Sequence, residues 1–305
     1  MANTRNKFAA LAISCLTVTG CASSEDSFQG TKVTLEVTRD LTYYTGREIH
    51  LPLDSYTLTR SQRSDFEEAV YEISSECMKS FGLKWPRPTQ EKSLAAENSR
   101  RYGVIDLRQA KKFGYRAPLP NGMDFEEASR IGRDNTERTR RLPQEVRNVY
   151  TGEGIDVLNG RAVPRGGCRG SAYAKLGLPP EGFDSTTIDI MRYGAWDRAR
   201  NSRIVIDAVA HWSTCMNKVG YRYKTLEEAV GDSAWQREGD PSEREIATAI
   251  ADIKCKSEVM LAEKWHAVEV ENHKALLRDK ANILNGSKRK MELLMKNISQ
   301  ARSRM

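Results

Sequence analysis

CMKSFGLKW (77–85) and CMNKVGYRY (215–223) decide how this chain reads: each runs Cys-Met, three residues, Gly, a large side chain, a base and an aromatic. The same offset of 138 sets Phe66, Val70 and Phe81 against Ile204, Ala208 and Val219. A constant offset with matching apolar positions is the mark of an internal duplication. Cys168 in CRGSA and Cys255 in CKSEV correspond more faintly. Each unit reads as a helix that stops at its glycine. Ser64 with Glu67 has the form of a capping box, and Phe66, Val70, Ile73, Cys77 and Phe81 recur at helical spacing before Gly82, which suits a left-handed cap. In the second unit Ile204, Ala208, His211 or Trp212, Cys215 and Val219 make the stripe, and Gly220 ends it.

A cysteine in a core-facing stripe is placed to bond a second helix. The expected bridges are Cys77–Cys168 and Cys215–Cys255, one per repeat, out of three connectivities that four cysteines allow. Closing loops of that length restricts the unfolded chain by roughly 4 kcal/mol per bridge. None of the four lies in a Cys-x2-Cys pair, so a zinc site of that kind is not indicated.

Between the helix pairs, RRYGVIDLRQAKKFGYRAPLP (100–120) and DFEEASRIGRDNTERTRRLPQEVRNVY (124–150) have no counterpart in the second unit. Asp106 can cap a short helix that stops at Gly114. Long connections without core demands often carry function, so this insertion is a candidate binding surface. VTLEVTRDLTYYTGREIHLPLDSY (33–56) is β-branched with partial alternation, as in a short strand or an extended arm. From Asp240–Pro241 onward the pattern is strongly helical, with Ile246, Ile250, Ile253, Met260 and Val268 on one face. Leu277, Leu284, Met291 and Ile298 then repeat every seven residues, interrupted at Asn285 and Gly286. Such a stripe packs on its own domain or offers a face to a partner.

The N-terminus gives an address. Arg5 and Lys7 precede an apolar run, Phe8 to Thr19, of about twelve residues, which suits a secretory signal and falls short of the roughly 20 needed to span a bilayer. Val18, Thr19, Gly20 and Cys21 resemble the lipobox of bacterial lipoproteins. That resemblance implies cleavage before Cys21, a diacylglycerol thioether on its sulfur, added acyl chains and an anchor at the extracytoplasmic face of the cell membrane. ASSEDSFQGT (22–31) is a polar tether. The plan is then a signal peptide 1–20, a tether 21–32 and an N-terminal arm 33–60. A first repeat unit 61–182 with an insertion at 90–165 follows, and a second unit 183–305 ends in a long helical region. The fold class is mostly α: duplicated helical units braced by two disulfides, a short extended or β arm, and a long C-terminal helix or helical hairpin.

Loss of Arg5 and Lys7 lowers the net charge from +7 to +5, and that excess sits at one end. Lys288, Arg289, Lys290, Lys296, Arg302 and Arg304 stand against Glu292 alone after Gly286. A basic end favours anionic neighbours such as lipid headgroups or wall polymers, and it also suits a helix C-terminus. Arg100, Arg101, Arg138, Arg140 and Arg141 with Tyr102 and Tyr115 have the composition of a nucleic-acid surface, which export makes inapplicable.

The succession LPLDSY (51–56), CMKSFG, RRYGVIDLRQAKKFGY, VPRGGC (163–168), CMNKVGY and TAIADIKCKSE (248–258) resembles a group of uncharacterised actinobacterial secreted and lipid-anchored proteins. The resemblance implies the repeat and the four cysteines as shared design, and it brings no reaction or catalytic residues.

No Gly-x-Ser-x-Gly, P-loop or His-Glu-x2-His is present. GDSA (231–234) resembles the serine block of one hydrolase group, but Ser233 follows a helical stretch instead of a strand. Glu67, Glu68, Asp124, Glu126 and Glu127 show no selective pairing. The weak metal candidate is His266, Glu269 and His273, which share one helix face. The expected function is a lipid-anchored binding or accessory module of the bacterial envelope without cofactor. Its partners would be the membrane, through Cys21, and an envelope complex or anionic wall polymer. A carboxylate-lined cleft would favour an envelope hydrolase, and a pocket of several hundred cubic ångströms with convergent polar groups would favour a small-ligand receptor.

Overall fold

A computed structural model describes residues 49–87, 96–119, 123–235 and 239–303. Cys21, the signal peptide, the tether and residues 33–48 of the arm lie outside the described residues. In chain order come α1 (Arg60–Ser80), α2 (Leu107–Phe113), α3 (Phe125–Arg140), α4 (Gln144–Thr151) and a hairpin of β1 (Val157–Leu158) and β2 (Arg161–Ala162). There follow α5 (Gly167–Lys175), α6 (Thr186–Arg200), α7 (Arg203–Lys218), α8 (Leu226–Val230), α9 (Glu243–Val259), α10 (Leu261–Asp279) and α11 (Ala281–Arg302). The chain is thus mostly helical. The described part of the arm holds a 3-10 turn, Pro52–Tyr56, between extended residues, and the strand pair falls at 157–162 around an Asn159–Gly160 turn.

Local chemistry explains the helix ends. The Thr59 hydroxyl accepts the Gln62 N–H at 3.2 Å, and the Gln62 side chain accepts the Thr59 N–H at 2.8 Å. The box read at Ser64 and Glu67 therefore stands one turn earlier, because Thr and Gln satisfy the same donors. Asp106 accepts the N–H groups of Arg108 and Gln109, and α2 ends at Gly114 as expected. Ser242, two residues past Asp240, caps α9 by accepting the Glu245 N–H. Asn285 and Gly286 do not interrupt α11; the breaks fall at Met260, in the left-handed region, and at Lys280.

The two repeated helices end alike. Gly82 and Leu83 donate their N–H groups to Lys79 and Met78, and Gly220 and Tyr221 donate theirs to Asn217 and Met216. Met78 and Met216 are both fully buried. Both expected bridges are present: Cys77–Cys168 joins α1 to α5 with Cα atoms 5.5 Å apart, and Cys215–Cys255 joins α7 to α9 at 5.6 Å. Cys77 and Cys215 sit half-buried at the edge of their stripes, while Cys168 and Cys255 are buried. In α7 the stripe is turned by one residue from the expected face. Val205, Ala208, Trp212 and Met216 are buried, whereas Ile204 and Val219 are 41% and 55% exposed and His211 faces solvent.

Two sets of helices bury the apolar residues. Val70, Ile73, Ala172, Leu176, Met291, Leu294 and Ile298 close α1, α5 and α11 over one core, which Met78, Val146, Val149 and Cys168 extend toward α4. The heptad stripe of α11 is therefore spent largely on its own body. The ends of α4 and α5 meet backbone to backbone, since a Cβ on Gly167 would stand 2.4 Å from Tyr150 O. The larger core gathers Tyr102, Val104, Ile105, Ala110 and Tyr115 with Ala208, Trp212, Met216, Ala249, Ile253, Leu261 and Trp265. Residues 100–116, expected to be relieved of core demands, lie at its centre, with α2 packed on α9. Within the insertion it is α3 that has no buried residue.

At the middle of that core is a fully buried lysine. Lys256 donates to Asp252 at 2.9 Å and to Val104 O at 3.2 Å, and Asp252 also accepts the Trp212 indole N–H at 2.8 Å. The ammonium reaches the 102–105 segment because Gly103 lacks a Cβ, which would stand 2.8 Å from Nζ. Removing one partner of such a pair leaves an uncompensated buried charge, while replacing both with apolar groups of like volume is far cheaper. Lys256→Met should lower unfolding stability by about 3–5 kcal/mol, and Lys256→Met with Asp252→Leu should recover most of the loss in urea titrations.

Candidate functional site

His266, Glu269 and His273 do share one face of α10, but the body of the protein closes over two of them. Glu269 and His273 are fully buried. One Glu269 oxygen accepts two donors of Arg101, Nε at 2.7 Å and Nη2, and the other accepts the Tyr102 hydroxyl at 2.9 Å. The Leu53 N–H reaches His273 Nδ1 at 3.3 Å, which makes that nitrogen the acceptor and leaves Nε2–H facing Glu269, also at 3.3 Å. His266 Nε2 stands 3.3 Å from His50 O. The Glu269 oxygens and the His273 Nδ1 lone pair are engaged by protein donors. Among the described residues no group of three His, Cys, Asp or Glu is placed to hold a metal ion, and Glu269 and His273 instead tie α10 to Arg101, Tyr102 and Leu53.

The cluster extends outward through arginines. Arg101 also donates to Arg192 O, and Arg192 binds Asp54 at 2.7 Å. This ties α10 and α6 to the turn at 52–56. Burial pushes the Glu269 carboxyl up, but the nearby His273 ring and the hydrogen bonds from Arg101 and Tyr102 outweigh it and hold the group below its ordinary value. Burial holds His266 below the usual imidazole value and raises the Tyr102 phenol. Another buried carboxylate, Glu245, accepts the Tyr115 N–H at 3.1 Å and lies 3.5 Å from Arg116 Nε.

The other residues marked in the sequence have structural work or face solvent. Asp124 caps α3 by accepting the Glu127 N–H, Glu68 pairs with Arg87 at 2.6 Å, and Glu67 and Glu126 are exposed. Arg100 donates to the carbonyls of Tyr115 and Arg116, and Arg140 and Arg141 pair with Glu137. Ser233 is exposed at the head of a short 3-10 turn, Ser233–Trp235.

A groove of about 460 Å³ runs beside α11. Its floor is Leu176, Ile188 and Leu294, all buried. One wall is the connection between α5 and α6, with Leu178, Pro179 and Phe183, held to α11 where Asn297 donates to Leu176 O at 3.0 Å. The opposite wall is the outer side of α11, where Ile283 and Leu293 are 47% and 53% exposed and flank Gly286, Ser287 and Lys290. A Cβ at Gly286 would touch nothing within 4 Å, so the helix surface is low at mid-groove. On the rim, Asp184 is held below its ordinary value by hydrogen bonds from Thr186, first from the side chain and then from the N–H, and by the charge of Lys290 nearby. The sequence marked the helix through its heptads; the facing wall, a Leu-Pro-rich loop about a hundred residues earlier, carries no periodic signal.

Comparison of the chain with protein-family models, curated proteins and solved structures returns no match. The buried cluster makes a pH prediction. A carboxyl depressed in the folded state adds stability above its unfolded value, near 4.3, which is lost as pH falls through the folded value; a depressed imidazole costs stability below about 6.5. Both act in one direction, so the urea midpoint should fall steadily from pH 7 to pH 3. Glu269→Gln should cost about 3 kcal/mol at pH 7 and flatten the acid limb of that curve.

Proposed function

We propose that this protein is an extracytoplasmic binding module of the bacterial envelope, anchored by lipid on Cys21, and that the groove beside α11 is its contact surface. The observation that carries the reading is the division of α11 into two uses. Met291, Leu294 and Ile298 fix one side in the core, while Ile283, Gly286, Lys290 and Leu293 line an open apolar groove whose rim carries Lys290 and Asp184. Such a groove fits an amphipathic helix laid along it with apolar anchors three and four residues apart. Lys288, Arg289, Lys290 and Lys296, against Glu292, favour a partner segment that carries acidic residues.

The two disulfides suit an oxidising compartment. Among the described residues no helix is long and apolar enough to cross a membrane, which leaves the lipobox resemblance to supply the anchor. Glu245 and Glu269 are buried and engaged by arginine and backbone donors, so neither is presented to a substrate.

Two measurements test the reading. Cys21→Ala should move the protein from the membrane fraction to the soluble extracytoplasmic fraction. A photo-cross-linking side chain at Leu293, in intact membranes, should label one envelope protein, and Ile283→Asp or Lys290→Glu should reduce that labelling at least ten-fold with unchanged circular dichroism. Labelling confined to copies of this chain, or indifferent to both substitutions, would overturn it.

A further inference from the structure

A second cavity, of about 310 Å³, opens where the extended segment after α1 folds back along that helix. Trp85 forms one wall, its ring stacked on Tyr150 with centroids 3.6 Å apart and planes within 4°. Arg87 has partners of its own, being bound to Glu68 at 2.6 Å and seated over the Tyr71 ring. The remaining charged residues of the wall do not. Glu72, Glu76, Lys79 and Lys84 make no side-chain hydrogen bond or ion pair among the described residues, although two are carboxylates and two are ammonium groups at one cavity. Ser75, between them, has a hydroxyl buried from solvent with no partner among the described residues.

The order of these groups along α1 gives the cavity a polarity. Glu72 and Glu76 stand one turn apart toward the N-terminal end, Lys79 lies a further turn on, and Lys84 follows on the extended segment past the helix. Carboxylates and ammonium groups that line one cavity without a partner in the protein fit a ligand that itself carries both signs. An unpartnered buried hydroxyl at the same place fits a ligand that also donates or accepts a hydrogen bond. The volume is at the low end for small-molecule sites, which limits the ligand to a few residues' worth of atoms.

We propose that this cavity binds a zwitterionic ligand of the free amino acid or short peptide class. The ammonium end lies toward Glu72 and Glu76, the carboxylate toward Lys79 and Lys84, and an apolar side chain against Trp85. The site shares no lining residue with the groove beside α11 and does not depend on that reading.

Isothermal titration of the full chain in detergent, with Leu-Ala as the probe, tests it. Saturable binding is expected, with at least a ten-fold loss when the probe is N-acetylated or C-amidated. Glu76→Gln should weaken the free dipeptide ten-fold and leave N-acetyl-Leu-Ala unaffected, while Lys84→Gln should do the converse with Leu-Ala amide. Glu76 and Lys84 are exposed, so both variants keep the fold even if Trp85→Ala, which removes the stack on Tyr150, does not. No binding of the dipeptide, equal binding of blocked and free forms, or tighter binding of an uncharged disaccharide would each overturn the proposal.

Discussion

The ammonium of Lys256 is the constraint on which the larger core is arranged. It has no water to fall back on, so Asp252, Val104 O and, through Asp252, the Trp212 indole must all be in place together. Hydrophobic burial would accept many relative placements of α7, α9 and the 102–105 segment; an unpaired buried charge accepts very few. The second buried carboxylate cluster works in the same way one helix later. Glu269 holds Arg101 and Tyr102 from that same segment, and His273 beside it receives the Leu53 N–H from the turn at 52–56. The net energy of such pairs is small, and what they contribute is a single geometry. α9 and α10 thus act as a spine onto which earlier parts of the chain are pinned by charge.

The parts of this arrangement that were legible in the sequence are those where chemistry is local. The cysteines, the glycine ends of α1 and α7, and the Asp106 cap each depend on residues within a turn or two. The bridging pattern followed because a duplicated helix duplicates its cross-link. Periodicity was less exact about faces. In α7 nearly every position from Ile204 to Val209 is apolar or small, so spacing alone could not tell Val205 from Ile204, and tertiary packing turned the stripe by one residue. The reading of 100–116 as an insertion without core demands failed for a related reason. Its arginines and its capping aspartate are bonded to carbonyls, carboxylates and helix N–H groups, so its charges are satisfied while Tyr102, Val104, Ile105 and Tyr115 sit in the core.

The candidate surfaces show the same division. The heptads of α11 pointed to the helix, and its basic content pointed to the sign of a partner, but a groove needs a second wall. That wall comes from the loop between α5 and α6, whose Leu, Pro and Phe have no spacing that distinguishes them from ordinary turn residues. Equally, the spacing of His266, Glu269 and His273 is what a metal site uses, and also what any helix face offers. Which it is depends on donors brought from Leu53, Arg101 and Tyr102, more than 160 residues away in the chain.

Those long separations bear on how the protein is made. Tyr102 waits 167 residues for Glu269, and Val104 waits 152 for Lys256. A chain delivered from its N-terminus therefore presents Tyr102, Val104 and Ile105 well before their partners exist, and contacts of such range close slowly. Cys77 and Cys168, which enclose this segment, can be oxidised before α9 has emerged, whereas the Cys215–Cys255 bond cannot form until α9 has. A first bridge closed in that order encloses a segment whose core partners, in the last third of the chain, have yet to emerge.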